Sequence, residues 1–406
     1  MYFLFLLIIP IVILLFLYYN NRINPHKVNN IREMYAEGLD MLVSGKRVAA
    51  YNNFKNIVDK DSNNVKSYIR LGQVLREGGN PVKALKIHKS LLMRKKISSY
   101  ELIELHKNLS LDYLSLKNHQ KSINEAKKIL EIENENEWAI IHLISLYKKL
   151  NNWQEATDYL KTYFSKVGKT DNHKLSLYKI QNARVQIDSQ NFDRAREILE
   201  RVLNIDDSLP LTYFFIGKTY SEESSVEYDK AIELDKSGLN SMVDKEQYNL
   251  HIENAKKLLS KSIPMWVNFL ELAPDNSWLV LPLIKDALFA IDRYSELEEI
   301  LIKLIEKYPE NLEVSASLAD YYSNKGELSK AVSIIEKSAS KNEDSILMKL
   351  IKLKLTLQEN PDNKSLIIDC DDIINAILKD TNYQMNNDKS SNSDIKWIFE
   401  NNEVNN

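Results

Sequence analysis

Glycine, proline and cysteine are the scarce residues. The 406-residue chain holds 9 glycines, 9 prolines and a single cysteine, Cys370. Ordinary usage is about 7% glycine and 5% proline, so there is little material for turns and almost none for glycine-rich loops that cradle phosphates. A lone cysteine excludes an intrachain disulfide framework and any cysteine-rich metal site. A surplus of one charge is also missing. The net charge is −3 with 27% charged residues, whereas a nucleic-acid binder shows a basic excess. The abundance of Ile, Lys and Asn is read as genome base composition and assigned no function.

Motifs that carry chemistry are absent as well. The seven histidines fall into no HExxH or comparable ligand spacing. Ile216-Gly217-Lys218-Thr219 is like the end of a phosphate-binding loop, but Thr212 stands where that motif needs its first glycine. Asp369, Asp371 and Asp372 flank Cys370 in the apolar stretch LIIDCDDIINAIL. On a helix such near neighbours point in different directions, which makes the acids a solvated face and the thiol a small hydrophobe. No Ser-His-Asp, Cys-His or paired-carboxylate arrangement stands out. The reading is therefore no catalytic, cofactor or metal site, and no enzyme.

What is present begins at the N-terminus. MYFLFLLIIPIVILLFLYY is apolar from Tyr2 to Tyr19 and ends at Asn20, Asn21 and Arg22. Eighteen helical residues span roughly 27 Å, enough for a bilayer core. There is neither a basic segment before it nor a small-residue cleavage site after it, so it reads as an anchor rather than a signal peptide. Arg22, Lys27 and Arg32 all follow the segment, which places the chain after it in the cytoplasm. The expectation is a transmembrane anchor over 1–21 and a juxtamembrane linker over 22–30.

The rest repeats. LGQVLREGGNPVKALKIHKSLL, from Leu71 to Leu92, is a helical hairpin broken at Gly78-Gly79-Asn80-Pro81. Gly38 and Gly72, Gly45 and Gly79, and Ala50 and Ala84 are each 34 residues apart. Helix–turn–helix units of that length form the tetratricopeptide repeat, with small residues at positions 8 and 20 where its two helices approach closely. In that register units begin near 31, 65, 103, 137, 176, 210, 278, 312 and 346. Tyr113, Tyr147, Tyr220 and Tyr322 recur at position 11, and Ala156, Ala195 and Ala331 at position 20. Pro274 and Pro309 close two units. The interval from 210 to 278 is two periods long, so residues 222–261 are either an insertion that lengthens a hairpin or a decayed unit. His88, at position 24, reads as a packed or capping histidine, and Trp138, Trp153, Trp266 and Trp278 as core filling. The predicted fold is all-α, a right-handed tetratricopeptide solenoid over 31–380 after one transmembrane helix, with first helices lining a concave face. Such arrays bind other molecules and rarely perform chemistry.

One combination goes beyond generic repeats: the N-terminal anchor, the segment EGLDMLVSGKRVAAYNNFKNIV, then LGQVLREGGNPVKALKIHKSLL and NLSLDYLSLKNHQKSINEAKKIL. It resembles the lipopolysaccharide assembly protein B family of bacterial inner-membrane tetratricopeptide proteins. The likeness covers nearly the whole chain, but only residues 31–165 are specific. It implies a non-catalytic adaptor at the cytoplasmic face of the inner membrane, bringing a lipid A biosynthetic deacetylase to a membrane-anchored ATP-dependent protease. A general scaffold for envelope assembly is the competing reading. The family ends in a rubredoxin-like zinc knuckle. Here the polar tail 381–406 keeps Tyr383 and Trp397 at the family's mutual spacing, and the four ligand positions fall on Met385, Asp388, Phe399 and Asn402. Those side chains cannot form a four-coordinate structural zinc site, so the resemblance implies a degenerate knuckle without metal.

Positions 2, 5, 9 and 12 of the early units face the predicted groove. They give Arg32, Tyr35, Lys66, Gln73, Arg76, Lys107, Trp138 and Lys148, mostly basic with two aromatics. The sequence therefore predicts a basic groove that holds an acidic protein segment on an aromatic anchor.

Overall fold

The computed structural model describes residues 30–238, 241–339 and 346–359. The expected anchor at 2–19, nearly all of the linker, Cys370 with its neighbouring aspartates, and the tail with Met385, Asp388, Phe399 and Asn402 lie outside the described residues. Among the described residues no helix is long and apolar enough to cross a membrane.

The described chain is helical throughout. It folds into tetratricopeptide-like hairpins in two compact units, one ending at Thr170 and the other starting at Asp171. The first unit contains α1 (30–43), α2 (Arg47–Lys60), α3 (Val65–Glu77), α4 (Pro81–Leu91), α5 (Ser99–Ser115), α6 (His119–Ile132), α7 (Glu137–Lys149) and α8 (Trp153–Val167). The second contains α9 (Asn172–Asp188), α10 (Phe192–Leu203), α11 (Pro210–Ser237), α12 (Met242–Leu272), a 3-10 turn (Pro274–Leu279), α13 (Leu281–Ala290), α14 (Glu296–Lys307), α15 (Leu312–Lys325), α16 (Leu328–Ala339) and α17 (Ile346–Glu359).

Asparagine has a structural use. The side chains of Asn64, Asn118, Asn136, Asn152 and Asn311 each accept a backbone N–H three residues on and cap α3, α6, α7, α8 and α15. Such caps satisfy helix-end donors that would otherwise need water. Ser98 and Glu101 close a capping box that starts α5 at Ser99, four residues before the unit start read from the sequence.

The scarcity of glycine does not limit the turns, contrary to the sequence expectation. Seven hairpin turns among the described residues share one geometry. The residue at each left-handed position is Gly45, Gly79, Lys117, Asn151, Gln190, Asp292 or Gly326. In each, the next N–H donates to the carbonyl five residues earlier, at 2.8–2.9 Å. Four of the seven positions are filled by side chains that tolerate φ near +60° at a cost of about 1–2 kcal/mol.

The close crossings show the register directly. A Cβ on Gly38 would meet the Phe54 ring at 2.8 Å, one on Gly72 the His88 ring at 2.3 Å, and one on Gly217 the Trp266 ring at 2.4 Å. The ring comes 16 residues after the glycine in the first two cases and 49 after it in the third. Residues 222–261 therefore extend one hairpin: α11 has 28 residues and α12 has 31. The extension is tied by Ala231 and Ala255, both buried, and by Ser224 Oγ donating to the Ala255 carbonyl at 2.8 Å. Trp266 Nε1 donates to the Phe214 carbonyl at 3.3 Å, and Trp266 is among the largest buried side chains.

Candidate functional site

First helices α1, α3 and α5 of the first unit enclose an open cleft of about 240 Å³. Tyr35 and Leu39 of α1 form one wall, Lys66, Ile69 and Arg70 of α3 the floor, and Tyr100, Glu101 and Glu104 of α5 the other wall. Arg70 organises it. Its guanidinium donates to Tyr35 Oη at 3.4 Å, Gln73 Oε1 at 2.7 Å and Glu104 Oε2 at 3.5 Å. The Lys66 ammonium lies over the Tyr100 ring at 5.8 Å, and Lys107 lies over Trp138 at 5.1 Å with its ammonium 3.9 Å from Glu104. The two cation–π contacts join consecutive repeats, and the Lys107–Glu104 ion pair lies within α5.

Of the eight residues predicted for the groove, Tyr35 and Lys66 line the cleft. Gln73 braces it by accepting from Arg70 and donating to Glu77. Lys107 and Trp138 continue it along α5 and α7, with Trp138 stacked on His142 at 4.5 Å. Arg32 is exposed and is not part of the cleft wall, and Lys148 lies over Trp153 at 5.8 Å.

Arg76 requires a correction. Its side chain is only 10% exposed and its Nη1 donates to Asp112 Oδ1 at 3.0 Å and Asn108 Oδ1 at 3.1 Å. It holds α3 to α5 and is already committed. The basic groove is corrected as well, because Glu101 and Glu104 bring two carboxylates against Lys66 and Arg70. The cleft is aromatic and charge-mixed.

The residues missed were Arg70, Tyr100, Glu101 and Glu104. The Ser-x-x-Glu pattern at 98–101 was the available signal, since it marks the helix start that places Tyr100 and Glu101 on the wall.

His142 shows how the unit's interior bears on its pH response. Burial, and then the nearby Lys149 ammonium, push its imidazole down from 6.5 to about 4. The unfolded chain therefore binds more protons between those values. The stabilising contribution is fully present above about 6.5 and is lost as pH falls toward 4. Between about pH 7.5 and about pH 5 the wild type should lose more urea resistance than His142→Gln. Equal losses in the two proteins would contradict this burial.

The second unit carries a larger cleft, about 360 Å³, absent from the sequence reading. Leu281, Leu297, Ala316, Leu347 and Ile351 line it, and Trp278, 41% exposed, stands at its edge rather than in the core. Asp320 accepts from Lys285 at 2.8 Å and from Lys354. Burial raises the Asp320 carboxyl, but the two ammonium groups outweigh it and hold the acid below the usual carboxylate range. No cluster of three metal-ligating side chains occurs among the described residues.

The described residues thus form helical hairpins with an open cleft in each unit. The chain is distantly similar to lipopolysaccharide assembly protein B. It is 21% identical to the Escherichia coli K12 protein over 313 residues, covering 75% of this chain and 78% of that one, and the same holds for the protein of Escherichia coli O157:H7. No protein-family model matches. Among solved structures, a tetratricopeptide repeat protein from Parabacteroides merdae is 18% identical with a TM-score of 0.33, covering 64% of this chain and 98% of that one. The C-terminal part of a repeat protein from Cytophaga hutchinsonii is 12% identical with a TM-score of 0.35, covering 82% and 98%.

Proposed function

We propose that this chain is a non-catalytic protein-interaction adaptor of lipopolysaccharide assembly. Residues 2–19 hold it in the inner membrane, and its repeats work on the cytoplasmic side. The observation that carries the reading is the similarity to lipopolysaccharide assembly protein B, which runs through 75% of the chain rather than through one hairpin. The first cleft supports it by offering Tyr35 and Tyr100 as aromatic anchors beside unlike charges. The partners on this reading are a lipid A biosynthetic deacetylase and a membrane-anchored ATP-dependent protease. The test is affinity purification of the full chain from membranes, followed by identification of what comes with it. Recovery of both partners supports the adaptor.

A second reading is a scaffold for envelope assembly that delivers nothing to a protease. It is favoured by the zinc-ligand positions Met385, Asp388, Phe399 and Asn402, whose side chains do not fit the metal. Recovery of envelope-assembly proteins without a protease would decide for it. In either case the first cleft is the expected docking point. Lys66→Glu combined with Tyr100→Ala should weaken partner capture by about tenfold or more while melting stays unchanged, because both side chains are exposed. Full capture by that variant would move the interface elsewhere, with the exposed Tyr228, Met242 and Leu250 of the long hairpin the next surface to vary.

A further inference from the structure

In the first unit the hairpin turns present a surface that the clefts do not use. Cross-repeat contacts such as Tyr35–Arg70, Lys66–Tyr100, Arg76–Asp112 and Lys107–Trp138 join residues about one repeat apart. The first helices α1, α3, α5 and α7 therefore run parallel and in register, and their C-terminal turns share one edge. That edge exposes apolar side chains where solvent would ordinarily claim polar ones: Val43 is 90% exposed, Val48 77% and Val82 68%. Lys46, Arg47 and Lys83 are exposed beside them and form no ion pair with any described residue. The following turns add Lys117 and Lys149, whereas Glu77 and Glu155 are the acids across all four turns. Glu77 already accepts from Gln73 at 2.8 Å. On a chain of net charge −3 this edge is locally basic. The loops at the opposite end of the same helices carry Asp59, Asp61, Glu131, Glu133 and Glu135 among their lysines and arginines.

We infer that this edge lies against the anionic surface of the phospholipid bilayer. Exposed valines flanked by uncompensated lysine and arginine suit the boundary between headgroups and acyl chains. There a cation meets lipid phosphate while the short apolar side chain leaves water. The inference rests on the anchor reading of residues 2–19, and chain length agrees with it. Ten residues separate Tyr19 from residue 30, a reach of up to roughly 33 Å. Helix α1 is about 20 Å long, so its C-terminal turn can return to the membrane that holds the anchor. The contact would fix how the unit presents its first cleft relative to the membrane.

The test uses the full chain with Cys370→Ser and one new cysteine, Val48→Cys, Val82→Cys or, on the opposite edge, Asn63→Cys. Each carries a fluorophore and is incorporated into vesicles containing a lipid-borne spin-label quencher. With roughly one-third phosphatidylglycerol in the bilayer, quenching at 48 and 82 should exceed that at 63 several-fold. It should fall to the level of 63 in neutral phosphatidylcholine, in about 1 M salt where the screening length is about 3 Å, and in Lys46→Glu/Arg47→Glu/Lys83→Glu. Flotation with the vesicles reports the anchor separately. A chain that floats but shows no excess quenching at 48 and 82, or shows it unchanged after the triple reversal, overturns the proposal and leaves the anchor standing. A chain that fails to float with neutral vesicles overturns the anchor and the proposal together. Binding of added polyglutamate by the edge, with no quenching by lipid, assigns it to an acidic protein partner and also overturns the membrane contact.

Discussion

Gly72→Ala is expected to cost the first unit about 3 kcal/mol or more, an unusually large penalty for one added methyl group. The new Cβ would lie 2.3 Å from His88 Nε2, 2.6 Å from Cε1 and 2.9 Å from Cδ2. The ring has nowhere to retreat. His88 is fully buried, its Nε2 donates to the Ile69 carbonyl at 3.0 Å and its Nδ1 is hydrogen-bonded with Asp112 Oδ2 at 2.5 Å. Relieving the clash means separating α3 from α4 or breaking those bonds, so an overpacking cost of about 1–3 kcal/mol is joined by that of buried polar groups left unpaired, about 1–3 kcal/mol. Gly45→Ala supplies the contrast. Nothing lies within 4 Å of its Cβ, and only the positive φ of +70° opposes it, which costs about 1–2 kcal/mol. Urea unfolding followed by circular dichroism should separate the two variants clearly. In a His88→Ala background the penalty of Gly72→Ala should shrink sharply, since the double-mutant cycle isolates the contact. If Gly72→Ala unfolds like the wild type, the ring does not rest on Gly72 and the repeat register is wrong.

The hairpins were legible because they are built on spacing. Gly38 and Gly72 mark where a second helix must come within touching distance of the first, and Pro81 marks a helix start. The turns were not equally legible. Lys117, Asn151, Gln190 and Asp292 occupy left-handed positions without being turn glycines, and only the repeat period could have located them. The long hairpin was ambiguous in sequence because nothing local distinguishes a helix extension from a faded unit. The pairing of Gly217 with Trp266 resolves it. The cleft was half legible. Position counting finds side chains such as Lys66 that leave the first helix on the right side, but it cannot tell whether a partner in the next repeat has already taken them. Arg76 is taken by Asp112, and Glu104 turns an apparently basic wall into a mixed one. Trp278 failed for the opposite reason, because a tryptophan near a helix start has the same spacing whether it fills a core or borders an opening.

Asp112 is the second position where a single change should have a large effect, and it bears on every experiment that uses Arg76. The carboxylate is wholly buried and joins three consecutive helices. It accepts from Arg76 on α3 at 3.0 Å and from His88 on α4 at 2.5 Å, and is itself carried by α5. Both ring nitrogens of His88 are engaged, one with the Asp112 carboxylate and the other with the Ile69 carbonyl, so the carboxylate sits between Arg76 and the ring. Burying ions this way adds little net stability relative to a well-packed apolar core, but removing one partner leaves the others desolvated without compensation. That costs about 3–5 kcal/mol. Asp112→Ala should therefore lower the melting temperature of the first unit by roughly 6–20 °C, taking about 2–4 °C per kcal/mol for a body of this size. Arg76→Glu should be at least as damaging, because it sets a second carboxylate against the first. Arg76→Met should be milder, since the Asp112 carboxylate keeps its bond to His88. These variants also show how to read a lost interaction with a partner protein. If Arg76→Glu abolishes capture and also melts early, the loss comes from unfolding and says nothing of a groove contact. Lys66→Glu, on an exposed side chain of the same helix, should weaken capture with melting intact. A melting temperature for Asp112→Ala within about 2 °C of wild type would mean that the three helices are held by apolar packing alone, and would return Arg76 to the list of free groove residues.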